Sequence, residues 1–408
     1  MSQTLDQAST AHRIASAEEA IAVAGDLAAR FAQDAAERDR ERRLPRAELE
    51  ELSRSGLLAI TVPREHGGAD VPTLALGRVI RLLAAADGSI GQIPQNHFFF
   101  VEVLRASGTE EQRRRFFAEV LDGRRFGNAL AEPGARHALE FRTTIRRDGD
   151  GLFRIDGAKY YSTGALFADW IPVYAIDEDD HLQAAYVPAG APGLEIVDDW
   201  DGIGQRTTAS GTVRLDGVRV PAENVVPHHR VFDGPEVFGA YGQFLHAAID
   251  VGLADGALAA AQDYVRNHAR PWGEAGVERA DQEPLVIHRF GELALRVRAA
   301  RALLDDAARA LDAARAALAD AADDAEALAA EASVAVAAAR AEADTAAVSV
   351  ASDFLELGGA RGASARRGLD RFWRDARTHT LHDPRRWKVQ HVGDYELNGV
   401  APPRNGIV

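Results

Sequence analysis

Between residues 126 and 227 apolar side chains recur at every second position, and Asp-Gly turns punctuate the segments RTTIRRDGDGLFRIDGAKYYSTG, LQAAYVP, LEIVDDW and TVRLDGVRVP. Period two sends alternate side chains to opposite faces of a strand, and Asp-Gly suits tight hairpins, so this stretch reads as an antiparallel sheet of short strands. On both sides the apolar spacing is three and four instead. IASAEEAIAVAGDLAARFAQDAAERDR and RAELEELSRSGLLA come before the sheet, and helical periodicity runs over residues 236–382 after it. The fold class is therefore α+β in three blocks: a helical domain over 1–125, a β domain over 126–232 and a helical bundle over 233–408. That order predicts a ligand held between sheet and bundle, since sites favour domain interfaces.

Local signals sharpen the boundaries. VPREHGGADVP and ASGTEEQ separate helices, and Thr109 with Gln112 three residues on carries a capping signature. The alanine-rich segment 300–350 keeps no strict heptad and reads as a long bundle helix interrupted around 321–325. Gly91, Pro94 and Asn96 in GSIGQIPQNHFFFVEVL predict a helix break just before His97. Phe98, Phe99 and Phe100 cannot share one direction, so most are expected in the core.

Composition excludes several functions. A net charge of −15 argues against nucleic acid or anionic lipid as the main partner, because both demand a basic face. Without cysteine there are no disulfides, thiolate nucleophiles or sulfur-ligated metals. The opening MSQTLDQASTAHRIAS lacks a basic and then apolar leader, and no charge-free apolar run approaches about 18 residues. A cytoplasmic chain without a membrane span is the expectation.

The densest chemistry lies in RDARTHTLHDP, 374–384. His382 suits proton exchange near neutrality, or equally a cap on helix carbonyls. A metal held by His379 and His382 is set aside, because Pro384 ends the helix before further ligands arrive. His97 is either a site residue or a core histidine bonded to a backbone carbonyl. Asn128, in GNALAEPGARH, and Tyr161, Ser162 and Thr163, in YSTG, stand at strand ends, where short polar groups either hold a ligand or close a turn.

Four stretches carry a family resemblance: DWDGIGQRTTASGTVRLDGVRVPAENVV (199–226), FLELGGARGASARRGLDRFWRDART (354–378), GLLAITVPREHGG and GAKYYSTG. Together they resemble the acyl-CoA dehydrogenase superfamily of flavoproteins over nearly the whole chain. The resemblance implies an N-terminal helical domain, a middle antiparallel β-barrel and a C-terminal four-helix bundle, assembled as a homotetramer with flavin between barrel and bundle. Many dehydrogenases of the family continue the RDA segment into a Tyr-Glu-Gly-Thr-like sequence whose Glu is the base; here the register reads Leu381-His382-Asp383-Pro384. The flavin monooxygenase branch, which includes dibenzothiophene monooxygenase and the sulfur-acquisition oxidoreductases, is the better match. It implies reduced flavin from a separate flavin reductase, molecular oxygen bound at flavin C4a as a hydroperoxide, and a small organosulfur substrate. By the same resemblance His382, His97, Asn128 and Thr163 surround the reacting carbon, and Tyr161 and Ser162 join Asn128 and Thr163 in lining the ring. The resemblance also implies that Arg206, with Thr207 and Thr208, belongs to the cofactor or substrate neighbourhood. Arg270 and Trp272 meet the phosphate, and Gly358 and Gly359 allow close backbone approach. Arg270 is displaced from its family position and Leu355 replaces a glutamine, which favours FMN over FAD. The alternative is an FAD-dependent acyl-CoA dehydrogenase with Asp383 as base.

Overall fold

The computed structural model describes residues 11–134 and 140–405. Residues 1–10, read above for a leader, and His137 of the GNALAEPGARH segment lie outside these. The N-terminal block holds α1 (Ala17–Phe31), α2 (Ala35–Glu41), α3 (Arg46–Arg54), α4 (Thr73–Ala86), α5 (Gly88–Ser107) and α6 (Glu110–Leu121). Caps set several of their starts: Ser16 Oγ accepts from Glu19 N, and Asp87 Oδ1 accepts from Ser89 N and Ile90 N. The predicted box at Thr109 is present, with Gln112 N donating to Thr109 Oγ1 at 3.3 Å and Thr109 N to Gln112 Oε1 at 2.9 Å. Gln112 Nε2 also donates to Glu223 O and Val225 O, so one side chain caps a helix and ties it to the sheet.

The helix break expected before His97 is absent. Helix α5 runs through Pro94, and Gly88 to Leu104 are buried on every side. Packing has overridden the local cost of the proline: a Cβ on Gly91 would stand 2.4 Å from Ala84 Cα, so α5 lies directly on α4. All three phenylalanines are core residues. Phe99 packs on Phe238, and Phe100 stands edge-on to Tyr174 and Tyr186.

The sheet comprises β1 (Thr144–Arg147), β2 (Leu152–Lys159), β3 (Trp170–Ile176), β4 (Leu182–Pro188), β5 (Leu194–Ile196), β6 (Val213–Pro221) and β7 (Val225–Val226). Its order is β5-β6-β2-β1-β3-β4-β7, antiparallel except where β1 and β3 run parallel at Thr144 and Ile176. The expected antiparallel barrel is thus a mixed sheet whose end strands, among the described residues, do not pair. The reason is the crossover 160–169, which brings the chain back beside β1 instead of β2. That crossover contains Tyr161, Ser162 and Thr163. Strand β6 alternates as predicted, whereas β3 and β4 are buried on both faces, since helices α5 and α6 cover the side away from the β core.

The C-terminal block has α7 (Phe238–Asn267), α8 (Pro284–Ala319), α9 (Ala325–Gly362), α10 (Asp370–His379) and α11 (Arg385–Asn398). The predicted interruption lies between α8 and α9, where Ala321 takes a φ of 49°. Helix α7 is long and apolar enough to cross a membrane by length and composition, but 78% of that window is buried inside the fold, where it is the central core helix. Near its end α9 bends at Gly359, whose φ of 54° and ψ of −166° only glycine adopts readily.

Candidate active site

The strand ends form one wall. Asn128 Nδ2 donates to Tyr161 O at 3.2 Å, and Thr163 Oγ1 lies 2.7 Å from Ser210 Oγ, itself 2.8 Å from Thr208 Oγ1. Two buried acceptors on this wall, Asn128 Oδ1 and Ser162 Oγ, have no hydrogen-bond partner. Buried polar atoms are rarely left so, and these fit the polar edge of a flavin ring. Tyr161 adopts a left-handed φ of 55° and is 57% exposed, its ring edge-on to Trp200. Gln205 and Ala209 share that strained region, with φ values of 47° and 48°.

One loop bolts this wall to both helical blocks. Gln205 N donates to Asp375 Oδ1 at 2.5 Å, Gln205 Nε2 to Gly88 O at 3.1 Å, and Thr207 N to Ser89 Oγ at 3.4 Å. At Gly204 a Cβ would stand 2.0 Å from Arg374 O, so only glycine fits. The two longest family-like stretches therefore touch each other. Arg206 departs from its expected place: Nη1 donates to Asp39 O at 2.8 Å and Arg40 O at 3.3 Å, caging the C-terminal turn of α2. Its guanidinium holds the N-terminal block to the loop.

Beyond Asp375, α10 ends in a histidine cluster that draws on α7, α9 and α11. His379 Nδ1 lies 2.6 Å from Asp250 Oδ1, and His379 Nε2 lies 3.1 Å from His246 Nδ1. The His246 and His382 rings lie against each other at a tilt of 34°, with centroids 4.0 Å apart. Arg340, fully buried, pairs with Asp250, with Asp344 at 2.6 Å and with Asp383 at 3.5 Å. Lys388 Nζ stands 3.5 Å from the second oxygen of Asp383. His382 is the open member, its side chain 45% exposed. Sequence reasoning missed His246, Asp250, Arg340 and Asp344. Their signal was there, as polar residues at helical spacing inside two of the most apolar helices.

His97 has a different job from the one the resemblance implied. Its Nε2 bonds Leu58 O at 2.9 Å and its Nδ1 accepts from Phe126 N at 3.0 Å, so both ring nitrogens are committed to backbone. It ties α5 to the residues entering the sheet, leaving neither nitrogen for a ligand. His97→Leu is expected to cost about 2–5 kcal/mol, since it strands a buried carbonyl and a buried amide. Urea unfolding checks this, with activity per folded molecule retained.

Arg270, Trp272, Gly358 and Gly359 line a separate cleft of about 420 Å³ together with Tyr264, His268 and Arg361. From His246 to Tyr264 is five turns of α7, about 27 Å. The predicted ring-binding and phosphate-binding residues thus fall in two places on one chain.

Family models place the same construction. The N-terminal, middle and C-terminal domains of acyl-CoA dehydrogenase match residues 17–124, 127–218 and 244–384. Dibenzothiophene monooxygenase of Rhodococcus qingshengii is 35% identical over 96% of both chains. The chain belongs to the acyl-CoA dehydrogenase superfamily, in its flavin-dependent monooxygenase branch. A probable FMNH2-dependent monooxygenase, SfnC of Pseudomonas putida, is 31% identical over 94% of this superfamily member and 96% of its own length. The FMN-bound crystal structure of TdsC from Paenibacillus sp. A11-2 superposes with a TM-score of 0.87 at 32% identity, covering 95% of this chain and 100% of TdsC. Methanesulfinate monooxygenase MsuC of Pseudomonas fluorescens gives 0.86 at 30% identity, covering 95% and 99%.

Electrostatics separate this monooxygenase-branch site from a dehydrogenase site. Burial pushes the Asp383 carboxyl up, but Arg340, His382 and Lys388 outweigh it and hold its pKa at about 2. A carboxylate so firmly ionised is a poor proton acceptor, which argues against the aspartate as an α-proton base. The protein packed around His382 lowers its pKa, Asp383 opposes this, and Arg340 adds to it.

The buried imidazoles of this superfamily member also set its acid stability. Burial lowers His97 to about 4, and His228 and His379 to about 3, from an ordinary 6.5. Their contribution to stability is complete above pH 6.5 and is lost as pH falls toward 3–4, because the unfolded chain takes up the protons. Buried Asp375, raised to about 7, works the other way, contributing most below 3.8 and losing that as pH rises to 7. The net expectation is stability that climbs between about pH 4 and 6.5, by roughly 1.4 kcal/mol per pH unit for each uncompensated proton. Urea midpoints across that range measure the slope.

Proposed function

We propose that this chain is the oxygenase of a two-component system that oxidises a small organosulfur compound with molecular oxygen and reduced FMN from a separate flavin reductase. The observation that carries the reading is the His382–Asp383 pair. A half-exposed imidazole stands beside Asp383, the residue at the place of the dehydrogenase base, and that carboxylate is neutralised by Arg340 and Lys388. The named relatives act on dibenzothiophene and methanesulfinate, which sets the substrate class.

In this reading Asn128, Ser162 and Thr163 hold the polar edge of the isoalloxazine, with Tyr161 at the open side. When bound, reduced FMN supplies oxygen activation at its C4a carbon, one oxygen atom going to sulfur and the other leaving as water. His382 exchanges protons with the reacting groups and returns to its resting state. Because about 27 Å of α7 separates His246 from the Arg270 cleft, a second copy in a homotetramer brings its own Arg270, Trp272, Gly358 and Gly359 to the phosphate end. Leu355 at the place of the family's glutamine leaves adenine without its partner, which supports FMN over FAD. The acidic chain works in the cytoplasm.

Anaerobic titration of the purified protein with reduced FMN and reduced FAD, followed by oxygen with dibenzothiophene or methanesulfinate, tests the proposal. Tighter binding of reduced FMN and transfer of labelled oxygen to sulfur are expected. Protein that purifies with FAD and is bleached by butyryl-CoA would instead establish the dehydrogenase.

A further inference from the structure

Gln243, His246 and Asp250 lie on one face of α7 at three- and four-residue spacing, and that face meets charged groups from three later helices. Helix α9 brings Arg340 and Asp344, α10 and its closing turn bring His379, His382 and Asp383, and α11 brings Lys388, with exposed Arg385 at its start. Asp250 and Arg340 are 0% exposed and His379 1%. So buried a chain of polar groups must assign every proton.

The assignment follows from Asp250. One of its oxygens is taken by Arg340, and the other lies 2.6 Å from His379 Nδ1. A carboxylate only accepts, so His379 carries hydrogen on Nδ1. Burial and Arg340 keep that ring neutral, which leaves a lone pair on Nε2, 3.1 Å from His246 Nδ1. His246 must therefore donate from Nδ1. It too is kept neutral by burial and by neighbouring His382, so its Nε2 bears no proton.

We infer that Asp250, acting through His379, locks His246 in the Nδ1–H tautomer and presents His246 Nε2 as the proton acceptor beside the His382 ring. A proton arriving there forms an Nε2–H bond. The Nδ1–H bond breaks toward His379 Nε2, and no electrons change hands. The positive charge passes onto His379 against Asp250, one ring removed from His382. With centroids only 4.0 Å apart, His246 and His382 cannot both be charged cheaply, so moving the charge inward relieves that repulsion. Two buried cations, Arg340 and Lys388, face three carboxylates, Asp250, Asp344 and Asp383, and this excess of negative charge offsets part of what burial costs a charged His379. Asp250 and His379 are positioning residues in this scheme. The use of the relay rests on the monooxygenase reading, but the tautomer assignment does not.

Asp250→Asn supplies the test. Arg340 is a charged donor and claims the amide oxygen, so the NH2 group faces His379 Nδ1, which must give up its hydrogen. His379 then donates from Nε2 to His246 Nδ1, and His246 becomes the Nε2–H tautomer. Solid-state NMR of flavin-free protein labelled with nitrogen-15 histidine, assigned by subtraction against His246→Gln, reads this directly. Expected are a protonated Nδ1 and a bare Nε2 on His246 in the wild type, exchanged in Asp250→Asn. A wild-type His246 protonated at Nε2, or tautomers unchanged in the variant, overturns the inference. If the variant does not fold, the wild-type spectrum decides alone. In the holoenzyme, Asp250→Asn is expected to lose roughly 10²–10⁴-fold in oxygen transfer with reduced-FMN binding unchanged, as for a tautomer error beside a catalytic histidine. Absence of any flavin binding in the wild type would sink the proposed function while leaving the NMR result standing.

Discussion

His382→Ala is expected to lower oxygen transfer to an organosulfur substrate by roughly 10²–10⁴-fold, the range a positioned general acid or base supplies. The fold should survive, because the side chain is 45% exposed and terminates a turn instead of filling the core. Loss of the imidazole leaves the proton demands of oxygen transfer to bulk water, so consumed oxygen should appear as hydrogen peroxide. The ratio of oxidised substrate to oxygen consumed is the measurement. His382→Gln, which keeps a donor but cannot titrate, should fall between the two. Unchanged coupling in His382→Ala would remove the histidine from the chemistry and reduce it to a packing partner for His246.

Arg340→Met should be the most destabilising single change in the bundle, at about 3–5 kcal/mol, the usual cost of stripping one partner from a buried ion network. The guanidinium is 0% exposed and meets Asp250, Asp344 and Asp383. Without it Lys388 still pairs with Asp383, but Asp250 and Asp344 lose their buried cation. Those carboxyls would then resist ionisation, so the deficit should shrink as pH falls and they become neutral. Urea unfolding of both proteins at pH 5 and pH 7.5 tests magnitude and sign together. A deficit that grows toward acid would show that Arg340 chiefly supports packing.

The order of blocks, helix then sheet then helix, was legible because hydrophobic period is a local property: strand β6 over 213–221 repeats every two residues and the helices flanking the sheet every three or four. Caps such as Thr109 with Gln112 were legible for the same reason, since donor and acceptor lie three residues apart. His382, Asn128, Ser162 and Thr163 stood out as candidates because their motifs are contiguous in sequence. Pro94 was misread because a proline's local cost says nothing of the packing around Gly88 to Leu104 that overrides it. For His97 the sequence left a site residue and a carbonyl-bonded core histidine open, and only the fold decides for the core, since Leu58 and Phe126 take both its nitrogens from 39 and 29 residues away. Arg206 looked like a ligand for the same reason, until the fold placed α2 beside it.

What the sequence determined alone is the class of each segment, the absence of thiol chemistry and the short polar motifs that mark the family. What only the tertiary structure decided is which charges meet. Asp250, Arg340, His379 and Lys388 come from four helices, and their pairing depends on helix packing that no local pattern encodes. Once buried together they cannot be solvated separately, and that shared desolvation turns four ordinary residues into one proton-ordering unit.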